Sequence, residues 1–313
     1  MNSTYFLFLG IGAILCTGLF AWKLQRAGQK TSIALLSLPL ALVLGTVLSK
    51  LVHFLLLFRD QYGAFGLEGL FRTNPTEFSF LGGCAGVVLA VWLAARCHRT
   101  AALPVMDAFA PCGALMAALA RACEYFLDIR YLLGYGAFVE NESLHFFPIA
   151  RENEMLYSWF YAIFMLEAAC ALICALVSFG RSHKKAYAPG RVFLHTVFFL
   201  ALPQVFCERL LGSYMRWGFV RVEQLLCGFL CFGIILYGCT RLKQKGAYTP
   251  ALLAALCMLM IIDIEFTLDN KPPFGLEMPT LLCYILMLAT LAAMAALSLW
   301  TWKRLNRKEA LTK

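Results

Sequence analysis

Apolar residues in this chain neither alternate nor recur once per helical turn. They come in unbroken runs separated by short polar segments. A run of about 20 predominantly apolar residues is what an α-helix needs to cross a bilayer. Nine runs reach that length, at roughly 5–22, 33–57, 78–95, 103–127, 155–178, 192–212, 219–239, 249–268 and 279–301. The pattern predicts an all-α, polytopic integral membrane bundle of about nine transmembrane helices. No polar segment is long enough to form a soluble domain.

Composition agrees: 61% of residues are hydrophobic, only 14% are charged, and the mean hydropathy is +0.73. A soluble domain carries about 25% charged residues. The basic residues fix an expected orientation. Lys23, Arg26, Lys30, Arg96, Arg99, Arg181, Lys184, Lys185, Arg191, Arg241, Lys243, Lys245, Lys303, Arg304, Arg307, Lys308 and Lys313 fall on one side of the predicted spans. Arg59, Arg72, Arg130, Arg151, Arg216, Arg221 and Lys271 fall on the other. The richer side is expected to be cytoplasmic, which puts the N-terminus outside and the C-terminus inside. Trp22, Trp159, Trp217, Trp300 and Trp302 are expected at the two interfaces. The net charge of +9 is then a cytoplasmic face against anionic lipid, with no nucleic acid implied. The first run lacks a small-residue cleavage site, so a retained span is expected.

The polar residues inside the runs carry the chemistry. Arg121 and Glu124 stand three apart, so they share one helix face. Lys50, Arg121, Glu208 and Arg209 lie near the outer ends of spans two, four and six, within roughly 5–11 Å of the boundary at 1.5 Å per residue. Glu223 and Gln224 enter span seven from the same side, and Asp263 and Glu265 lie near the outer end of span eight. An ionised residue in hydrocarbon costs roughly 2.5–3.5 kcal/mol on insertion scales. Two readings fit this cluster. In one, the charges neutralise each other and Lys50 snorkels to the interface. In the other, they line a polar cavity for an anionic lipid headgroup, and Arg121 grips the phosphate through two parallel hydrogen bonds. His53 is a candidate for the same cavity. Glu167 reads as a mid-span residue, Asp107 as an N-terminal charge on span four, and His195 as a packing residue.

The thirteen cysteines fall in or beside spans and read as small packing residues, with no Cys/His metal cluster. The outer loop 58–77 contains Tyr62, Gly63 and the Asn74–Pro75 turn signal. The longest outer loop, 128–154, is net acidic and is expected to form a small ordered cap. No internal repeat indicates an inverted-repeat transporter.

Several segments resemble the bacterial prolipoprotein diacylglyceryl transferase family. Phe78-Ser79-Phe80-Leu81-Gly82-Gly83 resembles its Ser-Phe-His-Gly-Gly segment. Asp107-Ala108-Phe109-Ala110-Pro111 resembles Asp-x-x-Ala-Pro. Ala120-Arg121-Ala122-Cys123-Glu124-Tyr125-Phe126 resembles Gly-Arg-x-Gly-Asn-Phe. Met155-Leu156-Tyr157 resembles Gln-Leu-Tyr, Glu208 matches the glutamate of the sixth span, and Glu223-Gln224 resembles Gly-Gln. The likeness covers about 5–240, a seven-helix domain with the cap 128–154. Residues 241–313 add two spans and a basic cytoplasmic tail.

The resemblance implies transfer of diacylglyceryl from phosphatidylglycerol, or another anionic lipid, to the cysteine thiol of a prolipoprotein in the bacterial cytoplasmic membrane. No metal or organic cofactor is implied. It casts Arg121, Glu124 and Glu208 as catalytic. Lys50, His53, Ser79, Gly82, Gly83, Gln204, Arg209 and Gln224 are cast as substrate-binding. The chain departs from the family pattern at several positions. Leu81 replaces the motif histidine, Glu124 the asparagine, Gln204 an arginine and Ser158 a glutamate. Lys50 and His53 stand at an arginine and a tyrosine position, and of the Asn-Gly-Glu after the signature only Asp128 is nearby. Two activities therefore stay open: a divergent transferase, or a non-catalytic lipid-binding, partner or transport protein on the same scaffold.

Overall fold

The computed structural model describes residues 3–58, 66–71, 77–127, 134–153, 156–182, 188–211, 216–217, 220–242, 246–269 and 278–311. Tyr62, Gly63, the Asn74–Pro75 turn, Asp128 and Met155 lie outside them, as do Arg59, Arg72, Arg130, Lys184, Lys185, Lys243, Lys245, Lys271 and Lys313. Among the described residues nine helices are long and apolar enough to cross a membrane. In chain order they are α1 (Ser3–Arg26), α2 (Ser32–Leu57), α3 (Phe80–Cys97), α4 (Ala102–Cys123), α5 (Ile163–Ser182), α6 (Arg191–Leu210), α7 (Val222–Leu242), α8 (Thr249–Leu268) and α9 (Thr280–Leu311).

The chain divides into two compact units. The first comprises α1–α5, both ends of α6 and the cap; the second comprises 201–206 of α6 with α7, α8 and α9.

In the first unit the helices approach closely because small residues line their contacts. A Cβ on Gly82 would lie 2.7 Å from the Leu48 carbonyl oxygen, and one on Gly86 would collide with that of Leu44. These two glycines, four apart on α3, let its backbone rest on α2, as small residues do between membrane helices. At the other end of the unit Phe20, Leu24, Ile33, Ala94, Val105 and Met106 form an apolar core. There Lys23 donates to Ser182 Oγ and lies 4.9 Å from the Phe179 ring centroid.

The start of α5 corrects an expectation. The fifth run was placed at 155–178, but α5 begins at Ile163. Residues 158–161 are instead a strand, β2 (Ser158–Tyr161), paired antiparallel with β1 (Ala150–Asn153), with Arg151 opposite Phe160. On its other side β2 bonds the segment after Gly134: Gly136 N donates to Tyr161 O, Tyr161 N to Ala137 O, and Val139 N to Trp159 O. Residues 134–153 and 158–161 thus form one small hydrogen-bonded unit, the cap. Hydropathy alone could not separate an aromatic strand from the first turns of a span. Glu167 consequently lies five residues into α5 rather than at its middle.

In the second unit α7, α8 and α9 pack mutually, with Ile235, Cys239, Ala254, Cys283, Met287 and Met294 buried among them. Trp302, expected at an interface, is 2% exposed and belongs to this core. The helix α9 runs to Leu311, so Lys303, Arg304 and Arg307 extend it rather than form a separate tail. Cysteines serve as packing residues in both units, most of them buried.

Candidate functional site

The site starts at the Ser-Phe motif. Ser79 has extended backbone and caps α3, its hydroxyl oxygen accepting from Gly82 N at 3.1 Å. Its own backbone is bonded to α2: Ser79 N donates to Ser49 O at 3.1 Å, and Ser49 Oγ donates to Ser79 O at 2.5 Å. The motif is thus fixed beside Lys50 on the next position of α2. Gly82 supplies the close approach, while a Cβ on Gly83 would meet Ser49 only at an ordinary 3.8 Å.

Lys50 is 7% exposed. Its Nζ lies 2.6 Å from Glu77 Oε2 and 5.6 Å from the Phe78 ring centroid. In the first of the two readings the charges neutralise each other and Lys50 snorkels to the interface; the neutralising partner is present, but Lys50 meets this carboxylate, at the entry to α3, inside the protein. His53, one turn along α2, is 1% exposed.

Arg121 stands in the last turn of α4, where a cation complements the helix dipole. Its Nη1 donates to Glu124 Oε1 at 2.7 Å. Its Nε lies 3.0 Å from Glu167 Oε2 of α5. The Phe80 ring covers the guanidinium at 3.9 Å. Glu124 occupies a 3-10 turn, Glu124–Phe126, that ends α4. The Arg121, Glu124 and Glu167 side chains are 10%, 11% and 3% exposed. One guanidinium therefore faces two carboxylates away from water, where an uncompensated charge is costly. The Phe78–Phe80 segment joins the two ion-pair systems, one ring against each cation.

The cap closes over Glu124. Gly134 has φ +71°, and a Cβ there would collide with Glu124 Oε2, so only glycine fits. Gly134 O accepts from Phe164 N at 2.8 Å, and Tyr135, Ala162 and Phe164 form the core of the cap. Arg151 of β1 ties the cap to the end of α4. Its Nη1 donates to Tyr125 O and, at 3.0 Å, to the Tyr135 hydroxyl, and its guanidinium stacks 4.5 Å from the Tyr125 ring. Burial pushes the Tyr135 phenol above its ordinary value, against the opposing pull of Arg151, so it stays neutral at pH 7.

Among the other expected site residues, Glu208 near the end of α6 is buried. Its neighbour Cys207 lies within electrostatic reach of Arg121, Glu167 and Glu208. Arg209 is half-buried. In the second unit Gln204 is buried, and Gln224 Nε2 donates to Val205 O at 3.0 Å and to Glu265 Oε1 at 2.7 Å.

Asp107 differs from expectation. It is not an N-terminal charge for its own helix; its carboxylate accepts from Gly190 N at 2.6 Å and Phe193 N at 2.9 Å, capping α6.

Sequence reasoning missed Glu77, whose one signal was a carboxylate two residues before the Ser79 motif. It also misplaced Glu167, because the fifth span was started too early.

Buried ion pairs at one end of a polytopic bundle, under a cap and beside a glycine-packed helix pair, define a membrane protein with a polar site just inside its surface. A family sequence model described as prolipoprotein diacylglyceryl transferase matches residues 3–240, and the chain belongs to that family. It is 24% identical over 260 residues to a protein of Clostridium novyi (strain NT) named phosphatidylglycerol–prolipoprotein diacylglyceryl transferase. The match covers 78% of this chain and 93% of that one.

Proposed function

We propose that the protein is a divergent diacylglyceryl transferase of the bacterial cytoplasmic membrane, moving diacylglyceryl from phosphatidylglycerol to a prolipoprotein cysteine. Family membership supports the reaction class, and one observation supports the assignment of its site: the buried Arg121, at the position of the family's signature arginine, with Glu124 and Glu167 on either side of it. The distribution of basic loops supports a site that faces outward, with the N-terminus outside and the C-terminus in the cytoplasm.

In the reaction the cysteine thiolate attacks the glycerol CH₂ next to the phosphate. A C–S bond forms, the C–O bond breaks, and its electron pair leaves on glycerol phosphate. Arg121 holds the phosphate through its planar fork and stabilises the charge that develops on the leaving oxygen. The thiol proton needs an acceptor, because the thiolate is the nucleophile. Leu81 cannot serve where the family has histidine. Glu124 serves instead: a phosphate entering against Arg121 displaces a carboxylate from the guanidinium and frees it to take the proton. Donor binding and base release are then one event.

A second reading rests on the same ion pairs. With Arg121 held by two carboxylates and Lys50 by Glu77, the cations are already neutralised, which suits a non-catalytic lipid-binding or partner protein on this scaffold. One experiment separates the two. The full chain is expressed in a transferase-depleted bacterium and lipidation of a reporter prolipoprotein is followed. Lipidation that disappears in Arg121→Lys supports the transferase. A folded, membrane-inserted protein giving no lipidation supports the second reading.

A further inference from the structure

The cap carries four consecutive exposed apolar residues, Phe146-Phe147-Pro148-Ile149, in the turn that leads into β1. Phe146, Phe147 and Ile149 are 47%, 48% and 40% exposed, close to the 43% of Phe8 on the membrane span α1. Single exposed apolar side chains need no explanation, but four in succession at one tip do. Two helix ends set the depth of this turn. The Phe147 ring lies 4.9 Å from that of Tyr125, just past the end of α4. Ile149 O accepts from Ala162 N at 2.9 Å, one residue before α5 begins. The turn is therefore held at the level where two spanning helices end, not out in solvent.

Its surface continues that of the helices. Tyr125 packs edge-on against Phe126 at 5.4 Å, and Phe126 stacks on Phe8 at 4.6 Å. One row of rings thus runs from a lipid-facing residue of α1 to the tip of the cap. The backbone of the turn suits a place with little water. Phe146 N donates to Leu144 O, Ile149 N and Ala150 N both donate to Phe146 O, and Pro148 has no N–H to satisfy. Charge is arranged to match. Side chains alternate along β1, so Arg151 reaches Tyr125 while Glu152 lies on the opposite face, across from Trp159. Glu140 and Glu142 are exposed ahead of the turn, and the four tip residues carry no charge.

We propose that the 146–149 turn is a membrane anchor. The tip lies in the interfacial layer of the bilayer at that end of the bundle, its rings at the boundary between headgroups and acyl chains, and it holds the cap down beside Arg121. Phenylalanine and other bulky apolar side chains insert at that boundary. With no cation in the tip, attachment rests on buried apolar area rather than on lipid charge. The anchor does not depend on the transfer reaction.

The test uses the full chain in phosphatidylcholine vesicles, with photoreactive p-benzoylphenylalanine replacing Phe147, Glu152 or the exposed Leu15 of α1. Lipid adducts are measured by mass spectrometry after irradiation. The Phe147 position should give adducts at the level of the Leu15 position and several-fold above the Glu152 position. Adding phosphatidylglycerol should leave those ratios unchanged. Adducts at Phe147 no more abundant than at Glu152 would overturn the anchor. Cross-links from Phe147 to a second copy of the chain in place of lipid would assign the tip to a protein contact and also overturn it. Adducts that form only with phosphatidylglycerol would overturn attachment by apolar area. If replacing Phe147 prevents folding, hydroxyl-radical footprinting of the unaltered chain decides. Corrected for intrinsic reactivity, Phe146 and Phe147 should be as protected in vesicles as Phe8. Tyr157, 88% exposed at the far end of the β1–β2 hairpin, should be oxidised. Oxidation of Phe147 at the level of Tyr157 would place the tip in water and overturn the proposal.

Discussion

The two ends of α4 both carry a charged residue, and they satisfy it differently. Near the start, Asp107 is met by backbone N–H groups of Gly190 and Phe193. Near the end, about 21 Å further on at helical rise, Arg121 is met by side chains, Glu124 and Glu167. Backbone donors cannot swing away without unwinding α6, so the Asp107 end is a fixed joint. Side-chain carboxylates can change rotamer and be replaced by another anion, so the Arg121 end is exchangeable. A family motif can thus mark architecture in one place and chemistry in another within a single helix.

Removing Arg121 should have the largest effect. Arg121→Ala leaves Glu124 and Glu167 buried without their cation, and breaking such a pair costs about 3–5 kcal/mol. The variant should lose transfer entirely and unfold at lower temperature in detergent. If Arg121→Ala keeps the stability of the unaltered protein, the ion pairs described at that end do not govern it. Glu124→Gln comes next. It preserves size and hydrogen bonding while removing the base, so turnover should fall roughly 10²-fold or more with folding retained; turnover near that of the unaltered protein excludes Glu124 as the base.

At the other end, Asp107→Ala should cost about 0.5–2 kcal/mol, the range for a lost helix cap, and leave turnover per folded molecule unchanged. A fall in turnover at constant stability would erase the distinction between the ends. The smallest effect is expected from Arg151→Ala. It removes bonds to Tyr125 and Tyr135 that hold only the cap, so global stability should hardly change. Hydrogen exchange of 134–161 should speed up while the helices stay protected; unchanged exchange would mean that Arg151 does not anchor the cap.

Hydropathy located the spans because crossing hydrocarbon leaves few alternatives to an apolar helix. It failed at Trp159–Tyr161, where a half-buried aromatic strand reads as the opening of a span. The Arg121–Glu124 pair was legible because i, i+3 spacing is local. The Lys50–Glu77 pair and the Asp107 cap were not. Their partners are 27 and 83 to 86 residues away in sequence, and only helix packing brings them together. The glycines of the Ser-Phe motif were read as substrate-binding. The structure gives Gly82 a packing role against α2 and leaves Gly83 with room to spare.

The sharing of Arg121 between two helices also bears on how the protein is made. When α4 leaves the ribosome and enters the bilayer, its arginine already has Glu124 beside it and can insert as a neutral pair. Glu167 arrives only with the next span, carrying a carboxylate that the hydrocarbon disfavours and that finds its cation on the helix inserted before it. The retention of α5 therefore depends on its predecessor. In a chain lacking Arg121, α5 is the span expected to slip toward the aqueous side, drawing the cap out of register with it.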